Sequence, residues 1–153
     1  MHEARIAQLG ITLPGPFPPH DPLDAVVVHG AAARTCGCLP RDANGHIRTG
    51  LLGRDLTTAE GAASAALCAL NALSLLRSTL GSLDRIERVL TMTVFVACID
   101  DFVEQPTVAD GASRALEQIF GAAGRHTRSA IGVAALPRGA SVEVELTVAL
   151  KEA

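Results

Sequence analysis

Arg128, Glu143 and Glu145 are the residues whose types and spacing carry the clearest chemistry in this chain. A guanidinium forks paired N–H donors onto a carboxylate, and a carboxylate beside an electrophilic carbon can take a proton from attacking water. A cation and two acids on one face could therefore hold a small carboxylate-bearing ligand. Four cysteines are further candidates. Cys36-Gly37-Cys38 offers thiolates, but no second Cys or His pair follows at ligand spacing and His29 and His46 are scattered, so no metal is expected. Cys36 then reads as an apolar filler, with a nucleophilic thiol as the alternative; Cys68 and Cys98 lie in apolar runs and read as core. His126, just ahead of Arg128, reads as a loop or interface histidine. The glycines at 30, 37 and 45 are not followed by Gly-Lys-Ser/Thr, which excludes a phosphate loop.

Strands must position the charged residues. In Ser141–Leu150 the alternation puts Val142, Val144, Leu146, Val148 and Leu150 on one face and Glu143, Glu145 and Thr147 on the other. In Thr127–Leu136, Ile131 and Val133 are expected to meet helices, leaving Arg128, Ala130, Gly132 and Ala134 opposite them. Joined through Pro137-Arg138-Gly139-Ala140, the two strands read as a hairpin, which would set Arg128 on the same side of the sheet as both glutamates. On strand pattern alone, a ligand site and a structural ion pair on a solvated face both fit.

Upstream, Glu3–Leu9 reads as a helix and the proline-rich Leu13–Pro19 as extended or turning chain. Ala25–His29 and Ala31–Cys36 read as a hairpin, and Arg41–Arg54 as a loop with a turn at Asn44-Gly45. Thr57 or Thr58 caps a helix that Gly81 stops, with Ser64, Asn71 and Ser78 on one narrow stripe and leucines around the rest. Ile86–Ile99 is a buried strand ended by Asp100-Asp101, and Pro106–Phe120 a second helix.

Bulk composition excludes several classes. The chain has 153 residues, the size of one domain. Its formal charge of −3 and pI near 5.9, with four Phe and neither Tyr nor Trp, leave no pull on a phosphate backbone and almost no surface on which bases could stack. Nucleic acid is not an expected partner. Met1–Gly10 lacks the continuous apolar run of a signal peptide, and the longest apolar stretch, Ala62–Leu76, is shorter than a membrane span and interrupted by Ser64, Asn71 and Ser74. A cytoplasmic domain with free thiols and no membrane contact is the expectation.

Thr127-Arg128-Ser129-Ala130-Ile131-Gly132-Val133, Leu136-Pro137-Arg138-Gly139 and Val142-Glu143-Val144-Glu145 resemble, in order and spacing, the C-terminal signature of the Rid family, the YjgF-like reactive intermediate deaminases. Cys36-Gly37-Cys38-Leu39-Pro40-Arg41-Asp42 is similar to that family's Ser-Gly-Gln-x-Pro segment, Thr93–Val96 and Gly121–His126 match further, and the longer Arg41–Leu56 loop resembles a side branch. The resemblance implies one α+β domain over residues 1–153, with an N-terminal extension at 1–22. Its fold would be chorismate mutase-like, a mixed sheet with two main helices on one face, assembling as homotrimers with sites between subunits. It also implies no cofactor. Arg128 would hold the carboxylate of a small imino or 2-oxo acid, Glu143 would position the water that hydrolyses the imine, and Cys36, Gly37 and Ala130 would line the pocket. The implied products are a 2-oxo acid and ammonia.

Three positions depart from that pattern. The family's pocket tyrosine has no counterpart here, Phe17 or Leu23 lying nearest its place, while Ala130 stands for a frequent cysteine and Cys36 for a serine. Two alternative expectations follow: a carboxylate-binding or regulatory trimer without turnover, and an enzyme processing the imine of one dedicated pathway.

Overall fold

The computed structural model describes residues 1–153. Its elements are α1 (His2–Gln8), β1 (Val26–His29), β2 (Ala32–Thr35), α2 (Thr58–Leu80), β3 (Ile86–Ala97), α3 (Gln105–Phe120), β4 (Thr127–Val133) and β5 (Val142–Leu150). The start of α2 is fixed reciprocally: Thr57 Oγ1 accepts from the Glu60 backbone N–H at 3.2 Å, and the Glu60 carboxylate accepts from the Thr57 N–H at 2.8 Å. That capping box satisfies two otherwise orphaned donors, and Gly81, at φ 83°, turns the chain out of the helix.

The five strands form one mixed sheet in the order β1-β2-β5-β3-β4. β3 and β4 are parallel, joined by the α3 crossover, and every other neighbouring pair is antiparallel. The expected β1–β2 hairpin forms. The expected β4–β5 hairpin does not, because β3 lies between those strands and pairs with both. A short proline-led turn at Pro137–Gly139 looks local in sequence, yet it carries the chain past β3 to a slot that β3 and β2 border.

The two long helices pack on one face, α2 against β5 and α3 against β3 and β4, while α1 lies against α3 and the turn that precedes β3. The apolar half of β5, from Val142 to Leu150, is buried there together with Val89, Met92, Val94 and Val96 of β3. By length and composition α2 could cross a membrane, but here it is the core helix, and twelve of its residues are buried. Its polar stripe is partly internal. Ser64 and Asn71 are buried, and the Asn71 amide donates to the carbonyls of Arg41 and Leu67 at 2.9 Å each, pinning the long loop before α2 to the helix.

Helices α2 and α3 approach to backbone contact. A Cβ on Gly111 would lie 1.9 Å from the Ala62 carbonyl oxygen, so only glycine fits that crossing. At the N-terminus α1 docks through buried Ile6 and through Glu3, which pairs with Arg77 at 2.7 Å and accepts from the Leu83 N–H at 2.9 Å. From there, Ile11–Pro22 runs without regular structure and delivers Phe17 to a cleft at the sheet's edge.

Candidate functional site

Register decides which side chains can meet. Met92 of β3 pairs with Arg128 on one side and Leu146 on the other, whereas Phe95 pairs with Ile131 and Glu143. Paired residues project to the same face. Arg128 and Ala130 therefore lie on the helix face with Leu146, and Glu143, Glu145 and Ile131 lie on the uncovered face. This corrects the expectation that Arg128 and the glutamates share one side. Ile131 looked like the core residue of β4, but it is 44% exposed. Small residues face the helices instead because α3 begins so close: a Cβ on Gly132 would come within 2.9 Å of Cys98 Sγ and of the Gln105 amide nitrogen.

Around Arg128, α3 supplies the partners. Arg128 Nη1 donates to Asp110 Oδ1 at 2.8 Å and to Ser113 Oγ at 3.0 Å, and Nη2 donates to the Pro106 carbonyl at 3.2 Å. Three of the five donors of a guanidinium are thus engaged, leaving Nε–H and one Nη2–H for a ligand. His126 extends the network. Its Nδ1 is 2.6 Å from the Gly124 carbonyl, which can only accept, so Nδ1 carries the proton and Nε2 accepts from Ser113 Oγ–H at 3.0 Å. Arg114, Glu117 and Arg125 complete an open cleft of about 490 Å³ that no hydrophobic residue lines. Asp110 and Ser113 escaped the sequence reading, although their i, i+3 spacing puts two polar groups on one helix face.

Glu143 occupies a different cleft, of about 360 Å³, which Cys36, Gly37, Phe17, Arg41 and Arg138 also line. At the end of β2, Thr35 Oγ1 accepts from the Leu146 N–H at 3.1 Å, and Cys38 then resumes pairing with Val144 through two backbone hydrogen bonds. This brings Gly37 directly under the Glu143 carboxylate. A Cβ on Gly37 would sit 1.9 Å from Glu143 Oε1, so the absence of a side chain is what admits the carboxylate. Burial pushes the Glu143 carboxyl above its ordinary value, and the negative charge of Glu145 adds to the effect. The neighbouring Cys38 thiol holds the Cys36 thiol below its ordinary value against the opposing effect of burial, while Cys38 is driven well up. Cys68 is fully buried, as core placement predicted, and Cys98 is half-buried beside Gln105.

Of the predicted site residues, one chain thus gathers Cys36, Gly37 and Glu143 in one cleft and holds Arg128 in another, with Ala130 packed beside the core two residues beyond Arg128. Of the two residues nearest the family's tyrosine position, Phe17 is the one that lines the Glu143 cleft. Arg41 and Arg138 in that cleft were not foreseen. Both stood within quoted segments, but a charged residue in a loop carries no periodicity that reveals where it points.

Comparison with known proteins agrees with this architecture. Residues 3–150 match the family model described as "YjgF/chorismate mutase-like, putative endoribonuclease". Protein TCP17 of Trypanosoma cruzi is 43% identical over 148 residues, covering 96% of this chain and 92% of that protein. The Agrobacterium tumefaciens protein Atu1372, described as of unknown function, superposes with a TM-score of 0.89 at 38% identity, covering 98% of this chain and 94% of its own. A Shewanella oneidensis structure described as a "putative endoribonuclease" reaches 0.93 at 30% identity, covering 98% and 99%. A mixed sheet with its two long helices on one face, the arginine and glutamate segments in the expected order, and a match over nearly the whole length lead to one conclusion: the chain belongs to the YjgF/chorismate mutase-like family, the Rid family of the sequence reading.

Proposed function

We propose that the protein hydrolyses small 2-imino acids, or their enamine tautomers, to 2-oxo acids and ammonia. The observation that carries this reading is the Glu143 carboxylate, seated on Gly37 in the lining of a cleft, half-buried, and without a hydrogen-bond partner in the chain. A carboxylate made more basic by burial is suited to take a proton from water as its oxygen attacks the C=N carbon. The tetrahedral amino alcohol then collapses to the carbonyl, and the nitrogen leaves as ammonia carrying the transferred protons.

Arg128 is the carboxylate clamp in this reading, through its two uncommitted donors. Because Arg128 and Glu143 project from opposite faces of one sheet, they serve one substrate only if they come from different subunits. The proposed working unit is therefore a homotrimer with its sites between chains. Exposed apolar side chains such as Ile131 and Val27 give its interfaces surface to bury. An RNA substrate is disfavoured by the acidic pI and the scarcity of aromatics.

The direct test supplies freshly generated 2-iminobutanoate and measures the rate of ammonia release. Wild type should accelerate hydrolysis, and Glu143→Gln should lower kcat by about 10²–10⁴-fold, the usual value of a positioned base. Since ionised Glu143 is the active form and its pKa is raised in the free protein, the acid limb of the kcat/KM profile should lie above the ordinary carboxylate value of 4.5. The same shift has a sign for stability. A raised folded-state pKa means that the ionised group opposes folding, a penalty present at neutral pH and removed as pH falls below the unfolded-state value. Glu143→Gln should accordingly melt at an equal or higher temperature than wild type at pH 7.

Gly37→Ala gives an independent check. The new Cβ meets the flexible end of Glu143 rather than backbone, so folding should lose less than about 1 kcal/mol while turnover falls about as far as in Glu143→Gln. Phe17 in the cleft lacks the hydroxyl that a tyrosine would supply, which favours one rival, a carboxylate-binding trimer without turnover. Calorimetry with 2-oxobutanoate separates the two, since Arg128-dependent binding without imine hydrolysis would establish the rival.

A further inference from the structure

We infer that the Glu143 cleft contains a second anion subsite, formed by Arg41 and Arg138, which selects 2-imino acids bearing a distal carboxylate. The inference rests on the proposed imine-hydrolase reading and names its substrate class. Arg41 is mounted rather than free. Its guanidinium stands over the Phe17 ring, 5.6 Å from the centroid, with Nη1 donating to the Gly45 carbonyl at 3.4 Å. Its own carbonyl is held by the Asn71 amide at 2.9 Å. Phe17 therefore supports a cation in the cleft, and the remaining donors of Arg41 have no partner in the chain.

Arg138 stands elsewhere on the lining of the same cleft. It is the only non-glycine residue at positive φ, with φ 58° and ψ 21°. The left-handed region is costly for an L residue, and glycine would occupy it freely. An arginine kept there points to a use for its side chain.

Neither arginine is paired with a carboxylate, unlike Arg34, Arg54, Arg77, Arg125 and Arg128. Nor do they neutralise Glu143, whose carboxyl responds to burial and to Glu145 and is raised. Their charge is thus available to a ligand. At about 360 Å³, the cleft has room for about ten water molecules, more space than a four-carbon imino acid fills. A longer chain ending in a second carboxylate would use both the room and the charge.

The test compares two stable 2-oxo analogues by calorimetry on the whole protein: 2-oxobutanoate, with one carboxylate, and 2-oxoglutarate, with two. Wild type should bind 2-oxoglutarate about 10-fold or more tighter, as one added charge-assisted contact implies. Arg41→Met keeps the apolar stack on Phe17, and Arg138→Gly relieves the left-handed strain, so the double variant should fold. It should lose the preference, binding the two acids with affinities within about twofold of each other. Equal affinities in wild type, or a preference that survives in the double variant, would overturn the subsite. If both acids bind equally and Arg128→Ala abolishes both, only the second subsite fails; if neither acid binds wild type, the hydrolase reading fails with it.

Discussion

Replacing Arg128 by alanine should cut kcat/KM for 2-iminobutanoate by about 10²–10⁴-fold and abolish measurable binding of 2-oxobutanoate. The size follows from two charge-assisted hydrogen bonds, each worth about 1.5–3 kcal/mol, lost together with the charge that attracts the ligand. Folding should lose about 1–3 kcal/mol, because the side chain is mostly buried and its removal strips partners from Asp110, Ser113 and the Pro106 carbonyl. Arg128→Lys should fall between, since it keeps the charge but loses the planar fork. Steady-state kinetics and melting curves on the same preparations check both halves. An Arg128→Ala variant with undiminished kcat/KM would remove the clamp from the mechanism.

The largest effect on stability is expected at Gly111. A methyl group there would enter the Ala62 carbonyl of α2, with Ala62 Cα also at 2.9 Å, so the colliding atoms are backbone and cannot rotate away. Gly111→Ala gains about 1 kcal/mol of helix propensity, yet it must force α2 and α3 apart along a well-packed seam. The net loss should be about 2 kcal/mol or more, a fall in Tm of about 4–8 °C for a domain of this size. Gly111→Val should lose more. Thermal unfolding followed by circular dichroism measures this directly, and a Gly111→Ala variant melting at or above the wild-type temperature would contradict so close a crossing.

Much of the secondary structure was legible because its signals are local. Thr57, Glu60 and Gly81 bound α2 through contacts within a turn or so of each end. The alternation of Val142, Val144 and Leu146 with Glu143 and Glu145 gave the two faces of β5 correctly, since a strand's period of two is a property of its own backbone. Arg128, Glu143, Cys36, Gly37 and Ala130 were expected in one site; within one chain Cys36, Gly37 and Glu143 share a cleft, while Arg128 lies in another and Ala130 lines neither. In β4 the same method failed. With Ala130 and Gly132 on one face, Ile131 and Val133 on the other were the strongest apolar cue, yet those small residues mark the face where α3 comes too close for anything larger.

The sequence by itself determined most of the elements, the faces of β5, the family and the candidate residues Arg128 and Glu143, all of which depend on short-range spacing and residue chemistry. Tertiary structure alone decided strand order and, with it, the relation between Arg128 and Glu143. Inserting β3 between β4 and β5 is a long-range choice: the 12-residue β3 pairs with β5 from Ile86 to Val96 and with β4 from Thr91 to Ala97, and no local spacing encodes that. The outcome places the two groups on opposite faces of one sheet and seats Phe17, Arg41 and Arg138 around the glutamate, drawing a proline-rich segment and two loops to a single cleft.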